Sequence, residues 1–350
     1  MGHRFLFVGG GTGGHLTPAL GLAEALEARG HHTHFLVNGR SVEELYFSEG
    51  RTHSSLAVDS SALPRSLSLL PAMWRARRLA HSFQADLVIG LGGAGSVAAL
   101  AARRGKPFVL LEGNHVFGKS VRWMQPFAQR ILTQYPETAA QSLKGLCVGP
   151  LSRQNSASIP REEACRQFGF SQENLVLLVT GGSQGAAQVN DFLRSLMPRL
   201  ALQSVQLLAL CGPGKADDVR NAANDCNMVA HVLEHCDAMG AAWSAADFSL
   251  CRGGASTLAE AWLHTVPCAV IPYPDHADRQ QEKNTQALGS GAFLLDPDQP
   301  QAADTFLSQL LNMDRRMSMA KSLRDSRPAD GTQATATLLE NWAAQGHASL

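Results

Sequence analysis

The sequence has no excess of charge of either sign and no paired cysteine motif. Its 350 residues include 30 Lys and Arg against 30 Asp and Glu, so no bulk field favours nucleic acid as a partner. The seven cysteines are odd in number and show no C-x-x-C spacing. We therefore expect reduced, scattered core thiols of a cytosolic protein rather than a disulfide framework.

The sequence also lacks long apolar runs and a leader. No uninterrupted run of about eighteen apolar residues is found, which predicts no membrane-spanning helix. No charged segment, apolar segment and cleavage site follow one another at the start, so we expect a chain that is not secreted. The length of 350 residues exceeds that of a usual single domain and predicts two.

Short apolar runs alternate with helical stretches, the rhythm of parallel α/β sheets. The predicted strands are Phe5–Val8, His34–Val37, Leu87–Ile89, Phe108–Leu111, Ile131–Thr133, Leu175–Val179, Val205–Leu210, Met228–Val232, Phe248–Leu250 and Ala269–Ile271. The rhythm restarts after the Pro- and Ser-rich stretch Gly149–Pro160, where a new helix, Arg161–Phe168, is predicted. The pattern predicts two doubly wound domains, residues 1–155 and 156–330.

Both predicted domains open with a strand, a glycine turn and a helix. Gly9, Gly11 and Gly14 satisfy G-x-G-x-x-G before the predicted helix Ala19–Ala28, and LLVTGGSQGAAQVNDFL repeats the arrangement. Such turns favour an anion, and two of them fit a diphosphate. Against a nicotinamide cofactor, no acidic residue follows the second strand, where Arg40 alone offers a contact for a 2′-phosphate.

Four segments together carry a resemblance to a known family: GGTGGH at 10–15, GGSQGA at 181–186, CRGGASTLAEA at 251–261 and DRQQEKN at 278–284. They resemble the MurG family, the peptidoglycan N-acetylglucosaminyltransferases of the GT-B fold, from the first strand to about Asp296. The resemblance implies two Rossmann-like domains facing across a cleft, with a final helix within 331–350 packing back on the first. It implies inverting transfer of N-acetylglucosamine from UDP-N-acetylglucosamine to the muramyl 4-hydroxyl of undecaprenyl-pyrophosphoryl-linked lipid I, giving lipid II.

The resemblance also assigns donor residues, mostly in the second domain. The loop residues Gly182, Ser183 and Gln184 would meet the diphosphate, and Arg153 would offset charge on the leaving UDP. Glu260 would accept hydrogen bonds from the ribose hydroxyls. The remaining donor contacts are Gln280, Gln281 and Asn114 for the sugar, and the backbone near Cys236 and Met239 for uracil.

The first domain would bind the acceptor and supply the base. His15 is the candidate base or acceptor-orienting residue, since imidazole titrates near neutral pH. The acceptor pyrophosphate would contact Thr12, Gly13, Gly14, Gly93 and Ser96. The chain has Ala94 where the family commonly has Tyr, and Leu111-Glu112-Gly113-Asn114 where it has His-Glu-Gln-Asn. These departures leave the acceptor open.

The segment Leu67–Ala80 combines apolar and basic residues. Leu70, Met73 and Trp74 with Arg75 and Arg78 predict a patch that binds the anionic inner leaflet from the cytoplasmic side, with Trp123 and Phe117 as possible extensions. The alternative is a core helix with a solvated basic face.

No metal or cofactor is required by the sequence. Asp296-Pro297-Asp298 imitates a D-x-D signature, but its prolines favour a turn, and His31, His32 and His34 are interpreted as strand-edge residues. Four other functions stay open. They are a related transferase with another lipid-linked acceptor, a UDP-sugar epimerase, a regulator that binds nucleotide sugars without catalysis, and a nicotinamide-dependent dehydrogenase that uses the first glycine turn.

Overall fold

The computed structural model describes residues 2–11, 13–39, 43, 46–47, 51–56, 65–274 and 278–345, with backbone alone for 65–69 and 94. The predictions at Thr12 and Arg40 lie outside the described residues. The chain forms two compact units. The first contains residues 1–153 and 329–350, and the second contains residues 154–328.

The first unit is built on a seven-stranded sheet. Its strands are β1 (Arg4–Val8), β2 (His32–Val37), β3 (His53–Ser55), β4 (Leu87–Gly90), β5 (Phe108–Glu112), β6 (Arg130–Thr133) and β7 (Gly145–Cys147). Their order is β3-β2-β1-β4-β5-β6-β7, with parallel pairing throughout. The helices that follow these strands are α1 (Gly13–Glu27), α2 (Arg65–Ser82), α3 (Ala99–Ala102), α4 (Lys119–Met124) and α5 (Pro136–Ala139).

Strands β1, β4 and β5 are apolar and buried along almost their whole length. Such continuous runs are typical of parallel strands that helices cover on both faces. Phe7 and Phe35 stack with ring centroids 4.7 Å apart on the face covered by α1. Leu6 and Val8 point to the opposite face, which α2 and α3 cover.

The second unit has a six-stranded parallel sheet of order β10-β9-β8-β11-β12-β13. Its strands are β8 (Val176–Thr180), β9 (Gln206–Leu210), β10 (Ala230–Leu233), β11 (Phe248–Cys251), β12 (Cys268–Val270) and β13 (Ala292–Leu294). Its helices are α6 (Arg161–Gln167), α7 (Ala187–Ala201), α8 (Ala216–Asp225), α9 (Met239–Ala245), α10 (Ala255–His264), α11 (Gln280–Gln286), α12 (Ala302–Leu311) and α13 (Met313–Ser326). In both sheets the strand order reverses beside the first strand, and ligands of doubly wound folds bind at that point.

The last helix, α14 (Thr332–Gln345), belongs to the first unit and packs against α1. Arg29 and His31 both contact Glu340, at 2.7 and 2.6 Å. His31, interpreted from the sequence as a strand-edge residue, therefore also fixes the terminal helix. The backbone N–H of Gly331 donates to the carbonyl of Pro150 at 2.8 Å. This bond connects the two chain segments that make up the first unit.

Candidate active site

The two glycine turns of the first unit lie against each other at the carboxyl ends of β1 and β4. The Gly10 backbone N–H donates to the Gly92 carbonyl at 3.3 Å. Gly93 has φ +74°, and a Cβ there would lie 2.3 Å from the Gly10 carbonyl oxygen. Only glycine permits so close an approach, and the two predicted acceptor loops thereby become one surface.

His15 lies in the first turn of α1, half-buried beside these loops. A Cβ on Gly92 would be 3.2 Å from its Nε2. Burial lowers the pKa of His15, and a hydrogen bond with the Gly10 backbone partly opposes that shift. The imidazole is therefore neutral near pH 7, the state in which a ring nitrogen can accept a proton.

Ser96 differs from its prediction as an acceptor contact. The residue is fully buried, and its hydroxyl donates to the Gly93 carbonyl at 2.6 Å. It shapes the loop instead of presenting a hydroxyl at the surface. Gly13 is buried and Gly14 is half-buried at the start of α1, where each contributes backbone alone.

Glu112, for which the sequence predicts no role, organises the loop that follows β5. Its buried carboxylate accepts hydrogen bonds from the backbone and side-chain amides of Asn114, at 3.0 and 2.8 Å. It also accepts one from the Gly118 backbone, at 2.7 Å. The available signal was an acidic residue ending an apolar strand. Asn114 is thus held in one orientation, half-buried.

Arg153 also differs from its prediction. It belongs to the first unit, and its Nε lies 2.8 Å from the Glu24 carboxylate of α1. Its side chain is 15% exposed. A paired guanidinium of this kind offers less net charge to a leaving diphosphate than the free cation that the sequence predicts.

The glycine loop of the second unit joins β8 to α7. Gly185 has φ +61°, and a Cβ there would lie 1.8 Å from the Cys211 carbonyl oxygen. The Lys215 ammonium donates to the Gln184 carbonyl at 2.7 Å. Across the part of the chain that the structure describes, no group accepts a hydrogen bond from the backbone N–H of Ser183 or Gln184. Unpaired amides, a helix N-terminus and a cation together favour an anion.

The segment with Gln280 and Gln281 is fixed to the loop after β11. Asn284 is buried, and its side-chain amide donates to the Gly253 carbonyl at 3.0 Å. The Gln281 Oε1 accepts a hydrogen bond from the Tyr273 backbone at 2.9 Å. Gln280 begins α11 and is half-buried. Helix α11 therefore starts at the carboxyl ends of β11 and β12.

Arg252, for which the sequence motifs predict no role, joins three of these segments. Its Nη1 donates to the carbonyls of Ile271 and Pro272, at 3.0 and 2.6 Å, and to Gln188 of α7, at 3.1 Å. Its guanidinium lies 5.8 Å from the Tyr273 ring centroid. The available signal was a charged residue directly after a buried strand.

Glu260, the predicted ribose contact, is held by two donors. Its oxygens accept hydrogen bonds from Ser156 Oγ at 3.1 Å and Trp243 Nε1 at 2.8 Å. Cys236 and Met239, predicted to flank the uracil site, are both half-buried, and Met239 begins α9. Burial raises the pKa of the Cys236 thiol, which therefore stays protonated.

Helix α2 presents part of the predicted membrane patch to solvent. Leu70 and Trp74 are 63% and 61% exposed, whereas Met73 is half-buried. The Arg78 guanidinium lies 5.4 Å from the Trp74 ring centroid, and Arg75 donates to the Leu56 carbonyl at 2.7 Å. Leu70 and Trp74 therefore lie outside the core, whereas Ala72, Ala76 and Ala80 of the same helix pack in it.

The two residues suggested as extensions of this patch behave differently. Trp123 is 58% exposed, in keeping with a surface role, whereas Phe117 is buried at 4%. The prediction for Phe117 is therefore wrong, since its ring packs in the core with Val121. Among the described residues, no helix is both long enough and apolar enough to cross a membrane.

Asp296, part of the D-x-D imitation, closes its own turn. Its carboxylate accepts hydrogen bonds from the Asp298 backbone at 3.1 Å and from the Gln299 side chain at 2.9 Å. These bonds lower the pKa of Asp296. His34, another residue considered for a metal, contacts Ser54 Oγ at 2.9 Å.

Comparison with known proteins gives matches to both units. Residues 5–133 match the glycosyltransferase family 28 N-terminal domain, and residues 176–323 match the glycosyltransferase family 28 C-terminal domain. The crystal structure of Acinetobacter baumannii MurG covers 97% of this chain and 100% of its own, with a TM-score of 0.76 and 22% identity. The calicheamicin glycosyltransferase CalG4 has a TM-score of 0.69. These likenesses confirm the predicted GT-B fold.

Curated relatives are more similar in sequence. Two are UDP-N-acetylglucosamine–N-acetylmuramyl-(pentapeptide) pyrophosphoryl-undecaprenol N-acetylglucosamine transferases. That of Protochlamydia amoebophila is 33% identical over 81% of this chain and 80% of its own. That of Salinibacter ruber is 30% identical over 95% of each chain. On the family models and these identities, the chain belongs to glycosyltransferase family 28.

Proposed function

We propose that this protein transfers N-acetylglucosamine from UDP-N-acetylglucosamine to the muramyl 4-hydroxyl of undecaprenyl-pyrophosphoryl-linked lipid I, forming lipid II. The observation that carries the proposal is the similarity to a transferase of that name over 95% of both chains. The grouping of the donor residues at the strand ends of the second unit supports it.

The donor is assigned to the second unit. Its diphosphate accepts hydrogen bonds from the Ser183 and Gln184 amides, where the N-terminus of α7 and the Lys215 charge favour an anion. The ribose hydroxyls donate to Glu260. Gln280 and Gln281 contact the sugar, because an amide both donates to and accepts from hydroxyls. The backbone near Cys236 and Met239 pairs with uracil.

The base is assigned to His15 of the first unit. The neutral imidazole takes the proton of the muramyl 4-hydroxyl as that oxygen forms a bond to the anomeric carbon. The bond from the anomeric carbon to UDP breaks on the opposite face, so the configuration inverts. The bonding electron pair leaves with the diphosphate, whose charge is met by oriented amide groups.

We include in the proposal that no metal is required. The amides of Ser183 and Gln184 and the Lys215 ammonium supply the stabilisation that a divalent cation would otherwise give the leaving diphosphate. Arg153 is left out of this role because of its ion pair with Glu24. The expected outcome is turnover that persists in excess EDTA.

We also propose that the protein binds the inner leaflet of the plasma membrane peripherally, from the cytoplasmic side. The exposed Leu70 and Trp74 insert among the lipids, and Arg75 and Arg78 contact anionic headgroups. The polyprenyl tail of the acceptor then stays in the bilayer during transfer.

The test is an assay of purified protein with UDP-N-acetylglucosamine and a lipid I analogue, in which released UDP and labelled disaccharide are both measured. Three further reactions contain other lipid-linked acceptors, no acceptor, or EDTA. Among the acceptors, we expect product only with the lipid I analogue, and the same product when EDTA is present. Without an acceptor, the sugar of the donor should keep its configuration. Turnover with another acceptor only, or epimerised donor, would contradict the proposal.

A further inference from the structure

The Glu260 carboxylate is held from two sides within the second unit. Trp243 Nε1 donates to one oxygen at 2.8 Å, and Ser156 Oγ donates to the other at 3.1 Å. Trp243 is 1% exposed, so this bond is shielded from water. Hydrogen bonds to a charged acceptor are roughly twice as strong as those between neutral groups.

The same groups form a closed network. The Trp243 ring stacks on His264, with centroids 6.5 Å apart and an interplanar angle of 29°. His264 Nε2 lies 2.9 Å from the Ser156 carbonyl oxygen. Burial lowers the pKa of His264, so the ring is neutral and one N–H donates to this carbonyl. Trp243 therefore fixes Glu260 directly and supports the residue that holds its other oxygen.

Trp243 also connects two elements of the donor site. Helix α9, which carries Trp243, begins at Met239, the end of the segment assigned to uracil. Helix α10 carries Glu260. The hydrogen bond from the indole to the carboxylate thus joins α9, assigned to uracil, with α10, assigned to the ribose. A functional group whose rotamer is locked by such a bond is preorganised for its ligand.

We propose that Trp243 is a positioning residue of the nucleotide site, whose indole N–H holds Glu260 in the orientation that accepts both ribose hydroxyls. Each carboxylate oxygen has two lone-pair directions, so Glu260 can bind the indole and the diol together. The inference rests on the proposed function, because it requires a nucleotide at Glu260.

The experiment compares Trp243→Phe with Trp262→Phe by calorimetry with UDP and with 2′,3′-dideoxy-UDP. Trp262 is the matched control, since it is a buried residue of α10 whose Nε1 donates to Ser326 at 3.1 Å. Losing a hydrogen bond to a charged group predicts about tenfold weaker UDP binding in Trp243→Phe. Dideoxy-UDP, which lacks the diol, should bind both variants and the native protein alike.

Three outcomes overturn this assignment. The first is a Trp243→Phe variant that binds UDP as tightly as the native protein. The second is an equal loss of affinity for UDP and dideoxy-UDP, which would indicate that Trp243 contributes packing alone. The third is an additive loss in the Trp243→Phe, Glu260→Gln double variant, because residues that act together are not additive. Where Trp243→Phe does not fold, Trp243→His keeps a ring N–H and should retain selectivity for the diol. Native protein that binds no UDP would instead refute the proposed function.

Discussion

The two glycine loops share one sequence pattern, but their backbone amides are used differently. In the first unit, the Gly9 and Gly10 amides donate to the Leu36 and Gly92 carbonyls, at 2.9 and 3.3 Å. In the second unit, the Ser183 and Gln184 amides donate to no group among the described residues. The first loop therefore pairs these amides with neighbouring strands and turns beside His15. The second loop pairs the Gly182 and Gly185 amides internally but leaves those of Ser183 and Gln184 for the proposed diphosphate. A strand, glycine turn and helix do not by themselves predict an anion site.

The largest expected effect comes from removing the imidazole of the first unit. His15→Ala should lower kcat by a factor of about 10² to 10⁴, the usual contribution of a general base. Its affinity for UDP-N-acetylglucosamine should stay within about twofold of native, since most of the proposed donor contacts belong to the second unit and His15 is not among them. Single-turnover kinetics and calorimetry measure the two quantities. A variant with native kcat would remove His15 from the mechanism.

A pair of glycine substitutions tests whether each loop serves its own substrate. Gly93→Ala and Gly185→Ala both place a Cβ on a residue with positive φ, at 2.3 and 1.8 Å from a carbonyl oxygen. Strain of about 1 to 3 kcal/mol predicts roughly 5- to 150-fold losses in the affected kinetic constant. Gly93→Ala should raise the KM for the acceptor, and Gly185→Ala the KM for the donor.

The melting temperature of each glycine variant serves as the control for this pair. Both should unfold as single cooperative transitions, so that a loss of activity reports on the loop and not on global unfolding. If each substitution raised both KM values equally, the division of labour between the loops would be refuted.

Much of the fold was predictable, because buried parallel strands leave continuous apolar runs. All ten predicted strands are present, with ends shifted by at most two residues. The strands β3, β7 and β13 were missed because each is short and none is buried along its whole length, unlike the equally short β12. Helix α1 begins at Gly13 instead of Ala19, because the glycine turn itself continues into the helix.

The candidate site was less predictable, because its supporting contacts join residues far apart in sequence. The sequence named Glu260 and Gln281 by resemblance, but gave no signal for the Trp243 and Ser156 donors to Glu260. Arg153 looked like a free cation in a linker, and its pairing with Glu24 depends on the packing of α1. Side-chain partners of this kind are set by tertiary structure, which local patterns do not record.

The pH dependence should separate the two units by a smaller effect. Burial lowers the pKa of His15, so the neutral base persists as the pH falls through about 6.5, the ordinary histidine value. We expect kcat/KM for the acceptor to stay level down to that pH and to fall only below it. Affinity for UDP-N-acetylglucosamine should show no such fall at low pH. The substitution His15→Gln should abolish the fall in kcat/KM. A fall above about pH 6.5 would contradict the shielding of His15.

The smallest effect is expected at the surface, where single arginines act. Each arginine near an anionic membrane contributes about 1 kcal/mol, so Arg78→Gln should weaken binding to phosphatidylglycerol vesicles roughly fivefold. The loss should vanish at high salt, which screens surface charge. Leu70→Ala with Trp74→Ala should weaken binding at every salt concentration, because it removes apolar area instead of charge.

The second unit supplies the matched control for this surface. Met313 and Met317 of α13 are 63% and 60% exposed, close to the values for Leu70 and Trp74, and Arg315 lies between them in sequence. If exposed apolar residues beside arginines were sufficient for membrane binding, Met313→Ala with Met317→Ala would lower the fraction of protein that sediments with vesicles. The loss would equal that of Leu70→Ala with Trp74→Ala. We expect the methionine variant to bind vesicles as the native protein does. Helix α13 has no tryptophan beside an arginine, whereas α2 has Trp74 beside Arg78. Equal losses would show that attraction to the vesicle is diffuse and that α2 is not its specific membrane surface.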